Sequence, residues 1–215
     1  MTYLPAAALL AALAAGSAVG QQPPNSPNVQ RLREFIGTPE HLQAVRAAIS
    51  AFEPTALAAA CKDVRPTKGR AWQPVEEPVF DPGAKTPKNA AWQETWEVNA
   101  CGKSGVRSVG FVARHGQGIV PLPMFPGESL ADLKLQHDAG QLALTDAAPA
   151  ALRCEERGRI QVIDSAVISR PDAARRQWSE RWTVAGCGRT ADIHVDFRPD
   201  PQGGLVYEFR NQPRR

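Results

Sequence analysis

The sequence predicts an α+β protein of two tandem units, each a helix packed on a four-stranded antiparallel meander and closed by one disulfide. Three observations predict it. WQETWEVNACG, beginning at Trp92, returns as WSERWTVAGCG at Trp178. Both copies alternate apolar and polar residues with period two, the pattern of half-buried strands. Each copy also follows a helix-like segment that ends near a cysteine, Cys61 in one case and Cys154 in the other.

Residues 92–120 align with 178–206 without a gap. Trp92/Trp178, Glu94/Glu180, Trp96/Trp182, Val98/Val184, Cys101/Cys187 and Gly102/Gly188 coincide, followed by Val109/Val195, Phe111/Phe197, Gly118/Gly204 and Val120/Val206. Rare residues kept in one frame point to duplication.

The chain opens with MTYLPAAALLAALAAGSAVG, whose apolar run from Leu4 to Ala15 is too short to span a bilayer. With small residues at Ala18 and Gly20, positions 1–20 read as a signal peptide, although no Lys or Arg begins them. Positions 21–37 read as a Pro-rich leader followed by a short amphipathic helix, NVQRLREFIG. The first unit is then 38–125 and the second 126–215, with PLPMFPGES at the boundary.

In the first unit Thr38 is an N-cap, Pro39 the first helical residue and Glu40 a first-turn acid. Leu42, Val45, Ala48, Ile49 and Phe52 keep helical spacing, and Pro54 kinks or restarts the helix. The prolines of KGRAWQPVEEPVFDPGAKTP predict a short or broken first strand. In the second unit SLADLKLQHDAGQLALTDAAPAALRC is a weaker helix, interrupted at Gly140 and Pro149. RIQVIDSAVIS, the Trp178 stretch, the stretch through Phe197 and GGLVYEFR supply its four strands.

Four cysteines in an exported chain read as disulfides. Three pairings exist; the repeat selects Cys61 with Cys101 and Cys154 with Cys187, each closing a loop within its own unit. The chain-entropy model gives about 4 kcal/mol per crosslink. One conflict of parity follows. Trp178 and Trp182 face the core, so Cys187, an odd number of residues further on, points away from the helix it must reach. The same holds for Trp96 and Cys101. A bulge or strand end is therefore expected at Asn99–Ala100 and at Ala185–Gly186.

The pattern W-x-E-x-W-x-V-x-x-C-G, followed by alternating apolar residues and a Gly-rich turn, resembles a domain in exported proteins of Gram-negative bacteria. It covers Cys154–Phe209 well and Cys61–Val120 less well. The resemblance implies location and fold class and supplies no chemistry. The architecture is also similar, by analogy alone, to the tandem β-lactamase inhibitory proteins, with which no motif is shared.

Glu94 and Glu180 stand out, each between two indoles on the apolar face of a strand (Trp92 and Trp96; Trp178 and Trp182). A carboxylate there is costly unless paired or hydrogen-bonded. An apolar pocket could make it a general acid; a carboxylate satisfied by N–H donors is the structural reading, favoured because it occurs in both copies. His194, between Asp192 and Asp196, lies on the polar strand face, where neighbours stand about 6 to 7 Å apart, too wide for one metal ion. CGKSG lacks the first glycine of a phosphate loop. His41, His115 and His137 read as lone residues in turns or on helix surfaces.

Basic residues are scattered and the net charge is +3, so no nucleic-acid footprint is present. The expectation is a periplasmic or secreted, non-enzymatic binding protein without a membrane span. No cofactor is implied, and its partner would be a protein or another envelope component. An enzyme inhibitor, with RHGQG and DPQGG at the rim of its concave surface, is the narrower form. The competing class is an envelope hydrolase using Glu94 or Glu180.

Overall fold

A computed structural model describes residues 26–155, 159–171 and 176–211; the expected signal peptide, 1–20, lies outside the described residues. The chain is α+β, with two four-stranded antiparallel sheets, few helices and two disulfides. Sheet A runs in the order β1 (Val64–Val79), β2 (Asn89–Ala100), β3 (Lys103–Arg114), β4 (Gly118–Pro123). Sheet B repeats the meander with β5 (Gln161–Ser169), β6 (Trp178–Gly186), β7 (Arg189–Pro199) and β8 (Leu205–Asn211).

Helix α1 (Pro27–Ile36) is capped by the Ser26 side chain, which accepts from Val29 N–H. Helix α2 (Pro39–Ala51) is capped by Thr38, which accepts from His41 N–H, with Glu40 in its first turn. The helix stops before Pro54, and α3 (Thr55–Ala58) follows. Val45, Ala48 and Ile49 of α2 share a core with Trp92, Val109 and Phe111 of sheet A. Leu32 of α1 is wholly buried in that same core, although a boundary at residue 37 would set α1 apart from the first unit.

The second helical run is α4 (Leu133–Leu142), a π-turn (Ala143–Ala147) and α5 (Ala148–Leu152). It is continuous through both expected interruptions. At Gly140 a Cβ would come within 2.5 Å of the Phe125 ring, so glycine admits that ring and does not end the helix. The Ala148 N–H reaches back to the Ala143 carbonyl, a five-residue step that takes up slack just before Pro149, which has no N–H to give. Ala139, Ala143, Ala148 and Leu152 join Trp182, Val195 and Phe197 in the second core. Phe125 packs edge-on against Trp182, 4.9 Å between centroids, and so sides with the second core despite an expected boundary just after it.

β1 corrects the expectation of a short strand. It is 16 residues long and carries Pro66, Pro74 and Pro78. It lies at the edge of its sheet, where a missing N–H costs least, and four register shifts absorb the misfit.

The parity conflict resolves through strand ends. The β2–β3 and β6–β7 ladders run without a register shift to Ala100↔Lys103 and Gly186↔Arg189, and the strands stop there. Cys101 and Cys187 each open a two-residue turn with φ of 50°, followed by Gly102 at 84° and Gly188 at 69°. Positive φ at both central residues matches the right-handed twist of a hairpin. It also takes each cysteine out of the strand alternation. Cys61 reaches Cys101, and Cys154 reaches Cys187, with Cα–Cα distances of 5.8 and 5.9 Å.

Candidate functional site

Period two puts Trp92, Glu94, Trp96 and Val98 on the inner face of β2, and Trp178, Glu180, Trp182 and Val184 on that of β6. Each motif glutamate is sealed: Glu94 is 1% exposed and Glu180 is 0% exposed. In both strands the two flanking indoles fold over the carboxylate. Trp92 Nε1 donates to Glu94 Oε1 at 2.9 Å and Trp96 Nε1 to Oε2 at 3.1 Å. Trp178 Nε1 donates to Glu180 Oε1 at 2.9 Å and Trp182 Nε1 to Oε2 at 2.8 Å. The ladder stacks an aromatic on the first tryptophan of each set, Phe111 on Trp92 and Phe197 on Trp178.

The remaining lone pairs bind the start of the overlying helical segment. In sheet B, Ser129 Oγ donates to Glu180 Oε2, and the N–H groups of Leu130 and Ala131 donate to Oε1. Five donors thus hold one carboxylate. In sheet A the donor is the side chain of His41, whose Nε2 lies 2.5 Å from Glu94 Oε1.

His41 is therefore no surface residue. It is 2% exposed and packs against Phe35, Trp92 and Phe111. It stands one helical turn before Val45, on the apolar stripe of α2, and that spacing was the available signal. His115 lies exposed in the β3–β4 turn, and His137 is exposed on α4 beside Gln141.

The outer face of sheet B carries the His194 cluster, laced together by its own contacts. Thr183 Oγ1 donates to Asp192, and Ser179 Oγ and Arg210 donate to Asp196. Burial pushes the Asp196 carboxyl up, but the bonds from Arg210 and Ser179 outweigh it and hold the group below its usual range. Among the described residues no cluster has the donors to hold a metal ion.

Residues distant in sequence line a cleft of about 730 Å³. Thr55 and Ala56 of α3 form one wall. Arg159, Gln161 and the β6–β7 hairpin from Ala185 to Thr190 form the other. Gln161 Nε2 donates to Thr55 Oγ1 at 3.4 Å, linking the two walls. Its lining carries the guanidiniums of Arg159 and Arg189, the latter donating to the Leu152 carbonyl, with the Thr55 and Thr190 hydroxyls and the Gln161 amide, and no carboxylate among the described residues. Such a set suits an anionic or carbonyl-rich group. No local pattern in the sequence announces it, because α3, β5 and the hairpin each supply only one or two of its groups.

No family model matches the chain, and no match was found among the curated proteins or the solved structures.

Proposed function

We propose that this is an exported, non-enzymatic binding protein of the bacterial cell envelope, built from two duplicated, disulfide-stapled helix-plus-sheet units. The motif W-x-E-x-W-x-V-x-x-C-G and the N-terminal signal carry the location. The two disulfides fit an oxidising compartment, and no helix among the described residues is long and apolar enough to cross a membrane. The matched Trp–Glu–Trp sets and matched Cys-Gly turns on the second strands of the two sheets support duplication.

One observation carries the choice of binding over hydrolysis. Every oxygen of Glu94 and Glu180 already accepts a hydrogen bond inside a core. The large cleft holds cations and hydroxyls with no carboxylate among its described lining. A hydrolase needs an acid or base within reach of substrate; neither motif glutamate has that reach. The cleft favours a partner presenting carboxylates or other anionic groups, a protein or another envelope component. The inhibitor form draws support from two exposed hairpin tips, His115–Gln117 and Pro201–Gly203.

The test is capture from periplasmic extract on immobilised protein beginning at Gln21. A discrete partner retained by this protein and released from an Arg159→Ser, Arg189→Ser variant supports the reading. Equal retention by both proteins removes the cleft from it.

A further inference from the structure

Four strands end the two sheets, and three of them are blunted in ways that discourage pairing with another chain. β1 carries three prolines and four register shifts. β4 carries Pro121 and Pro123 in six residues. β5 has two register shifts, and its Ser165 carbonyl already accepts from Glu128 N–H of the passing segment. β8 has none of these features. Its sequence from Leu205 to Asn211 contains no proline, and its ladder with β7 has no register shift. Among the described residues its backbone bonds to no element other than β7.

The outer face of β8 carries Glu208 and Arg210, opposite charges two residues apart, both exposed. In an antiparallel pairing about a two-fold axis at Phe209, Glu208 falls opposite Arg210 of the second copy, and Arg210 opposite its Glu208. Opposite charges in direct register stabilise a strand pair and like charges oppose it. A register shifted by two positions sets Glu208 against Glu208 or Arg210 against Arg210. In the pair each Glu208 gains the guanidinium of the second copy's Arg210, whereas within the chain its cross-strand neighbour is Asp196, another acid, and Arg210 is bonded to Asp196. We infer that β8 is a self-pairing edge, through which two copies of this chain join sheet B to sheet B in one continuous eight-stranded sheet. An isologous contact of this kind closes at two copies, and main-chain bonds supply the affinity while the charge pairs set the register.

The test uses sedimentation equilibrium on the protein beginning at Gln21, from micromolar to submillimolar concentration. The unaltered protein should form a dimer. Glu208→Arg, which sets Arg against Arg, should weaken that dimer by about tenfold or more, the scale of two charge pairs turned repulsive. Arg210→Glu should weaken it likewise. An equimolar mixture of the two variants should restore a dimer, now mixed, because each Arg again meets a Glu. If Arg210→Glu does not fold, Glu208→Arg alone decides, and its weakened dimer should recover in high salt. A protein monomeric throughout this range, or a dimer indifferent to Glu208→Arg, overturns the inference.

Discussion

His41 and Glu94, 53 residues apart in sequence, meet at 2.5 Å inside the first core with side chains only 1–2% exposed. The contact fastens the first turn of α2 to the middle of β2, so the helix is held by a directed polar bond as well as by Val45 and Ile49. In sheet B, Glu180 fastens residues 129–131 in the same way, with a hydroxyl and two backbone N–H groups replacing the imidazole.

His41→Phe keeps the aromatic packing and strips one donor from a sealed carboxylate. It should destabilise the protein by about 2 to 4 kcal/mol, the range for leaving a buried polar or charged group short of a partner. A double-mutant cycle with Glu94→Gln, read by urea unfolding, should show coupling of about 1 kcal/mol or more. Additive effects would mean that the two residues act independently.

Glu180→Gln replaces an acceptor for five donors with an amide that must turn its own N–H groups toward indole or backbone N–H. A loss of about 1 to 3 kcal/mol is expected, with near-ultraviolet dichroism of Trp178 and Trp182 altered. Unchanged stability would contradict the buried-clamp geometry.

Non-reducing peptide mapping should recover Cys61–Cys101 and Cys154–Cys187 and no cross-unit link. Removing either bridge by Cys→Ser pairs should cost about 4 kcal/mol in the chain-entropy model. A Cys61–Cys154 or Cys61–Cys187 peptide would break the two-unit account.

Asp196 supplies a pH dependence. Its folded pKa is lowered because the bonds from Arg210 and Ser179 outweigh burial. It therefore contributes stability that is present above the unfolded carboxylate value, about 3.9, and is lost as pH falls through the lower folded value. Asp196→Asn should lower Tm near neutral pH, and its gap from the unaltered protein should close in strong acid. A gap that is the same at neutral and acid pH would show that the carboxylate's charge is not what matters.

Much of this was legible locally. Thr38 and Pro39 mark a helix start by their chemistry, the Trp178 stretch shows its buried face by alternation, and the cysteine frame fixes its own pairing. Features that depend on distant contacts were not. His41 looks like any helix-surface histidine until Glu94, far along the chain, is placed above it. Gly140 and Pro149 are helix breakers by propensity, yet Phe125 fills the room at one and a π-turn accommodates the other. The prolines of β1 argue against a strand only if that strand is central, and nothing local says that it lies at an edge. The cleft escapes for the same reason, because Thr55, Arg159 and Arg189 come together only in the folded chain.

The motif glutamates are internal struts, and the proposed binding chemistry is that of the Arg159–Arg189 cleft. The most direct measurement compares partner affinity in matched variants whose folding has been verified by dichroism. Glu180→Gln should keep the partner captured from periplasmic extract, whereas Arg159→Ser, Arg189→Ser should weaken it by about tenfold or more, as loss of charge-assisted hydrogen bonds requires. Loss of the partner in folded Glu180→Gln, with full retention by the arginine variant, would contradict the account and return function to the carboxylates.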